Sequence, residues 1–269
     1  MTALNASAIT RYREEGFCFP LPVLQTNEAA LLLERLNAIA PEDVAHIAHP
    51  WYYKSYLLFT WLNSLVRNTQ LLDAVECLVG ENIICISCDI WRKRAGETRH
   101  ISWHQDASYW AFEPPAIVTA WIALTEATTD NGCMRFQPGS HRGGLRAHRD
   151  TFASDNMLSH GQTVQMETDE NRAVPIVLRA GEFSLHHCLL AHASGPNPTE
   201  LDRVGLCIRY AAGNLRQTEG PRVSAMAVRG RLSGNLVAEK PPTANLSSAA
   251  VDQHTRLLAP HAGVRYTSF

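Results

Sequence analysis

No apolar run in this chain approaches the roughly 18 residues that a membrane-spanning helix requires, and the opening MTALNASAITRYREEG lacks a charged region followed by an apolar one. A soluble, cytoplasmic protein is expected. Positive charge is not in excess either: 24 Lys and Arg stand against 26 Asp and Glu, which excludes a bulk electrostatic grip on nucleic acid as the main task. The seven cysteines, Cys18, Cys77, Cys85, Cys88, Cys133, Cys188 and Cys207, form an odd, scattered set unlike a secreted disulfide framework. Cys85-x-x-Cys88 has no second such pair to complete a four-ligand zinc site. It lies in ENIICISCDIW, which reads as a strand, and residues three apart on a strand face opposite sides, so buried thiols are expected. Repeats, low-complexity tracts and linkers are absent, and 269 residues with 45% hydrophobic content suit one domain, 1–269.

What is present changes texture near Gly80. Before it, Thr26 or Asn27 can cap EAALLLERLNAIA and Asn68 can cap TQLLDAVECLVG, which together predict a helical N-terminal layer over about 1–80. After it come β-type runs, among them NIICISCDIW, AIVTAWIALT, EFSLHHCLLAHA and VGLCIRYAA, broken by Gly, Pro, Asn and Asp. Such runs without intervening amphipathic helices predict a mainly β fold, an antiparallel sandwich or jelly roll over about 81–215, with the helices packed on one sheet. Asn131-Gly132 reads as a hairpin turn. The polar stretch from Pro138 to His160 is too long for a turn and reads as a lid or substrate loop, within which His141 and His148 are expected to be solvated. From Arg229 onward an irregular C-terminal segment is expected.

Twelve histidines are many, and their neighbours sort them. In WHQD, His104 and Asp106 are two apart, so on a strand both side chains leave one face and can meet at one metal ion. His192, in LLAHASGPNP, offers a third ligand, and Arg203 follows eleven residues later. Two imidazoles and one carboxylate on one face of an octahedral ion leave three open positions, the arrangement of non-haem Fe(II) oxygenases. Those positions suit a chelating keto acid and O2. A planar guanidinium at Arg203 can then hold the far carboxylate of 2-oxoglutarate in a bidentate fork.

Three segments, WHQDASYW, TAWIALTEATTDNGCMRFQPGSH and GEFSLHHCLLAHASGPNPTELDRVGLCIRY, together resemble the phytanoyl-CoA dioxygenase family of Fe(II)/2-oxoglutarate oxygenases. The resemblance implies a double-stranded β-helix, a cupin-like jelly roll, with His104, Asp106 and His192 as iron ligands and Arg203 on the cosubstrate. Thr119 could add a hydrogen bond to the same carboxylate, and Lys93, with Gly96 after it, matches a lysine position common in the family. Family members that halogenate carry a small residue in place of Asp106, so its presence implies hydroxylation or desaturation. The implied reaction hydroxylates a small molecule and releases succinate and CO2. Substrate candidates are a small polar metabolite such as an aminoalkylphosphonate, or a natural-product intermediate. Lys54, Lys93 and Arg94 could receive an anion, whereas Tyr52, Tyr53 and Tyr109 could receive a cationic amine. Gln105, His186, Tyr53 and Tyr109 are the candidate substrate contacts, while Trp51 and Trp110 are expected in the core. The alternatives are a metal-binding sensor on a cupin-like fold, a zinc hydrolase, or a halogenase. Oligomeric state is not legible.

Overall fold

A computed structural model describes residues 3–261. Among the described residues six α-helices are formed: α1 (Ala6–Glu15), α2 (Thr26–Asn37), α3 (Pro41–Val44), α4 (Thr60–Leu65), α5 (Thr69–Val79) and α6 (Ser248–Leu258). The strands are β1 (Phe17–Pro22), β2 (Ile83–Lys93), β3 (Ile101–His104), β4 (Phe112–Glu113), β5 (Ile117–Ala123), β6 (Met134–Phe136), β7 (His148–Arg149), β8 (Thr163–Val164), β9 (Val174–Pro175), β10 (Glu182–His187), β11 (His192–Ser194), β12 (Arg203–Ala212), β13 (Arg216–Gln217), β14 (Ser224–Arg229) and β15 (Val237–Ala238). Local chemistry sets the helix ends. The Asn68 side chain accepts the Leu71 N–H at 3.1 Å and Gly80, at φ 88°, ends α5. The N-cap of α2 is Gln25, one residue before the expected Thr26, and the Glu28 carboxylate accepts the Gln25 N–H at 2.7 Å.

The major sheet runs β1-β10-β5-β12-β2-β14-β15 and the minor one β3-β11-β6-β9, antiparallel except for the β14–β15 pair. Strict alternation divides β12. Val204, Leu206, Ile208 and Tyr210 enter a core shared with the helices, while Arg203, Gly205, Cys207 and Arg209 face the other way, toward the minor sheet. Phe17, Trp121 and Cys207 of the major sheet pack with Met134 and Phe136 of the minor sheet to close that second side. This is the mainly β jelly-roll architecture expected, with helices covering one sheet.

Four local expectations need correction. A register shift opposite Arg209 and Tyr210 bulges β2, so Cys85 and Cys88 both join the helix-side core instead of facing opposite ways. The strand face is thereby reset, and Ser87 now lies opposite Arg209. Asn131-Gly132 does not close a hairpin: it carries the chain from β5 in one sheet to β6 in the other. The segment beyond Arg229 is not irregular throughout. β15 extends the major sheet past 215, and α6 buries Ala250, His254 and Leu258, one face at helical spacing, which the small residues of the tail disguised. The part of that segment beyond 261 lies outside the described residues. Finally, β1 falls within the helical layer yet pairs with β10. No helix among the described residues is long and apolar enough to cross a membrane.

Candidate metal centre

His104 closes β3 and His192 opens β11, and the two are register partners, so their rings lie 4.1 Å apart. Asp106 is not on the strand. It begins a short 3-10 turn, Asp106–Tyr109, which swings its carboxylate inward; the two-residue spacing pointed to the right pair for a different geometric reason. Ligand atoms of His104, Asp106 and His192 all fall within 4.8 Å of one another, and all three residues are buried.

The imidazoles are prepared as ligands. Nδ1 of His104 lies 2.9 Å from the Ser102 carbonyl and Nδ1 of His192 lies 3.0 Å from that of Leu190, so Nδ1–H donates in each and Nε2 keeps its lone pair. Burial, then the neighbouring imidazole, lowers His104 to about 3 and His192 to about 4, so both are neutral at pH 7. Burial pushes the Asp106 carboxyl up, but the Arg209 guanidinium and the His186 and His192 imidazoles overcome it and hold it well below the usual range.

A cross-strand row clamps that carboxylate. His186, Thr119 and Arg209 are consecutive register partners on β10, β5 and β12. Thr119 Oγ1 donates to Asp106 Oδ2 at 2.8 Å, Arg209 Nη2 donates to Oδ1 at 3.1 Å, and His186 Nε2 lies 3.7 Å from Oδ2. Arg209 also pairs with Asp89 and reaches Ser87 Oγ at 3.2 Å. The sequence reading missed Arg209 and Asp89. Their signal was a single charge inside each of two otherwise apolar strands, CIRY and SCDIW. Thr119, expected beside the cosubstrate, gives its hydroxyl proton to Asp106, a partnership that depends on strand register. His186 and His192 share no strand, yet their rings come within 4.8 Å from facing sheets.

The other candidates separate cleanly. Arg203 is 1% exposed, and among the described residues no carboxylate pairs with it. It donates to the Gly132 carbonyl and to Ser194 Oγ, leaves Nε unpartnered, and lies 5.5 Å from the Trp121 ring. Burial lowers it only to about 10, so it stays charged. Lys93 does not face the cavity. Its Nζ donates to the Ser194 and Gly195 carbonyls, and burial, then Arg203, lowers it to about 6 against the pull of Glu97 and Cys133. Lys54 is buried in an ion pair with Glu239 at 2.7 Å, and Arg94 is exposed, so neither lends the cavity a positive charge. Gln105 turns away: its amide serves the Gly144 and Leu189 carbonyls and the Arg146 N–H. His148 is not simply solvated, since its Nε2 accepts the Gln105 N–H at 3.0 Å.

A cavity of about 520 Å³ opens over the three ligand residues and extends to Arg203. Tyr53, Tyr109, Trp110 and His186 line it, so Trp110 is a wall as well as a core residue, whereas Trp51 stacks on Phe59 in the core at 5.6 Å. The long polar loop contributes Leu145, Met157 and Leu158 to the lining.

Residues 12–205 match the family model for phytanoyl-CoA dioxygenase, and the chain belongs to that family. Among curated relatives, the peroxisomal phytanoyl-CoA dioxygenase of Homo sapiens is 32% identical over 152 residues, 54% of this chain and 44% of that protein. A probable alpha-ketoglutarate-dependent hypophosphite dioxygenase of Stutzerimonas stutzeri is 32% identical over 164 residues, 59% of this chain and 56% of that one. The chain thus spans about half the length of these relatives. Among solved structures, the non-heme monooxygenase ThoJ in its apo form superposes with a TM-score of 0.86 at 30% identity, covering 95% of this chain and 96% of that one.

Arg209 gives a direct test of the clamp. Arg209→Gln is expected to weaken Fe(II) binding about 10- to 100-fold, since groups that orient a ligand carry effects of that size. Arg209→Lys should recover part of the loss by restoring the charge without the fork. An unchanged metal titration in Arg209→Gln would remove the residue from the clamp.

Proposed function

We propose that this chain is an Fe(II)- and 2-oxoglutarate-dependent oxygenase that hydroxylates a small molecule and releases succinate and CO2. The observation that carries the reading is one cavity joining two things: three buried groups suited to one metal ion, and a buried guanidinium with no carboxylate of its own. Two neutral imidazoles and one carboxylate suit Fe(II), and a buried cation with an orphaned Nε suits the far carboxylate of the keto acid. When bound, iron and 2-oxoglutarate supply the oxidation of an unactivated carbon by O2. His104, Asp106 and His192 hold the metal. The row His186, Thr119 and Arg209 fixes the carboxylate, Arg203 orients the cosubstrate, and the aromatic walls exclude water. Asp106 occupies the position that halogenating relatives leave to a small residue, which supports hydroxylation. A sensor would have no use for Arg203. Aerobic incubation with Fe(II) and 2-oxoglutarate is expected to form succinate. Its absence from protein carrying stoichiometric iron would overturn this reading in favour of a hydrolase or sensor.

Lys93 makes cosubstrate binding pH-dependent. With its pKa near 6, the free protein carries this amine largely neutral at pH 7.5. A dianion arriving beside Arg203 favours the charged form, so binding takes up a proton and weakens as pH rises above about 6, by up to about tenfold per pH unit. Calorimetry of 2-oxoglutarate binding in buffers of different ionisation enthalpy should show this uptake, approaching one proton. Lys93→Met should abolish it. A wild-type enthalpy independent of buffer would refute the coupling.

A further inference from the structure

Resting on the oxygenase reading, we infer that the substrate is an apolar, ring-bearing molecule without an anionic group. The walls of the cavity away from Arg203 are built from Tyr53, Tyr109, Trp110, Phe112, Leu158 and Val223. Trp110 sits at the centre of an aromatic run, 6.1 Å from the rings of both Tyr109 and Phe112. Tyr109 stays 37% exposed, a large ring left in water that a ring-bearing ligand would cover. The cavity of about 520 Å³ must also hold the metal and 2-oxoglutarate, and the space left over is bounded by aromatic and aliphatic side chains, with no cluster of donors to fix a two-carbon phosphonate or a hypophosphite ion.

Charge points the same way. Arg209 is spent between Asp89 and Asp106, Arg203 serves the cosubstrate end, and Lys54 and Lys93 do not line the cavity. The formal charges of Asp89, Asp106, Arg203 and Arg209 sum to zero, as do those of a divalent metal and dianionic 2-oxoglutarate, and the proton taken up by Lys93 sits on a side chain outside the lining. The remaining charged side chain of the lining is Glu219, exposed and without an ion pair among the described residues, which turns anions away. A small oxyanion would therefore be buried without a counter-charge, which water does not permit cheaply. An uncharged ring system needs none.

The test uses the full chain loaded with Fe(II) and saturating 2-oxoglutarate without O2, and reads quenching of tryptophan fluorescence and calorimetric Kd at pH 7. The probes are 2-naphthol, 2-naphthoate, which adds a carboxylate to the same rings, and 2-aminoethylphosphonate. The expected result is that 2-naphthol binds, 2-naphthoate binds at least about tenfold more weakly, and the phosphonate gives no signal. Glu219→Gln should narrow the gap between the two naphthalenes. Tyr109→Ala, at a partly exposed position, and Leu158→Asp, on the loop, should each weaken 2-naphthol about tenfold or more. Binding of either anion as tightly as 2-naphthol, no binding of 2-naphthol, or 2-naphthol binding indifferent to both wall variants would overturn the inference. Metal and 2-oxoglutarate binding, measured in parallel, report separately on the oxygenase reading: their loss sinks that reading, whereas their retention with any of those three results sinks only the substrate class.

Discussion

Asp106→Ala is expected to lose turnover and Fe(II) binding together, the latter by more than about 100-fold, and to weaken the metal-free fold as well. The second effect follows from the clamp. Without the carboxylate, the buried Arg209 keeps Asp89 as its one ionic partner among the described residues, the Thr119 hydroxyl loses its acceptor, and His186 loses the carboxylate beside it. Removing one partner of a buried pair costs about 3–5 kcal/mol, because the other charge is left in a poor solvent. Asp89 shares that charge, so the lower end of the range is expected. His192→Ala should lose iron equally and yet cost the metal-free protein less, since a neutral imidazole leaves no orphaned charge behind. Metal titration with urea unfolding of the metal-free proteins separates the two. Equal destabilisation by both variants, or wild-type hydroxylation in Asp106→Ala, would show that the carboxylate is not held as described. Asp106→Glu is expected to be inactive too, because the extra methylene displaces the carboxylate by about 1 Å where about 0.5 Å is tolerated.

Arg203→Met is expected to raise the 2-oxoglutarate concentration needed for half-maximal succinate formation by about 30-fold or more, with metal binding retained. The substitution keeps the volume beside Trp121 and removes the buried cation. Losing a desolvated, charge-assisted partner costs about 2–5 kcal/mol, and 2 kcal/mol is already about 30-fold. The metal-free fold should not suffer as it does in Asp106→Ala: Arg203 has no ionic partner to strand, only the Gly132 carbonyl and Ser194 Oγ. Measuring half-saturation and unfolding on one preparation checks both halves. An unaltered requirement for 2-oxoglutarate would assign the cosubstrate to another cation, and Lys93, which the arriving dianion would protonate beside Arg203, is the residue to examine.

The residues that could be named from the sequence are those whose meaning is local. His104, Asp106, His192 and Arg203 stand in short segments of telling composition, and alternation along RVGLCIRYAA separates the face of Arg203 from the face of Val204 whatever the strand pairs with. For the same reason the helix layer and the β layers were legible, since caps and periodicity act within a few residues. The tail was not, because the face of α6 is defined by Ala250, His254 and Leu258, and an alanine at one of three contacts gives little hydrophobic contrast.

Partnership across strands was decided only by the tertiary structure. Thr119 meets Asp106 because β5 lies between β10 and β12, and Arg209 faces Ser87 because a bulge shifts β2 by one residue; neither fact is written near any of these residues in the chain. The fate of the lysines was decided there too. As single residues, Lys54 and Lys93 read as cations free to receive an anion, but burial sets one against Glu239 and turns the other to backbone carbonyls, leaving the cavity to its aromatic walls. A charge in the sequence states only what a side chain carries. Which partner neutralises it is fixed by the packing of segments distant in the chain, because a buried charge persists only where the fold brings a compensating group to it.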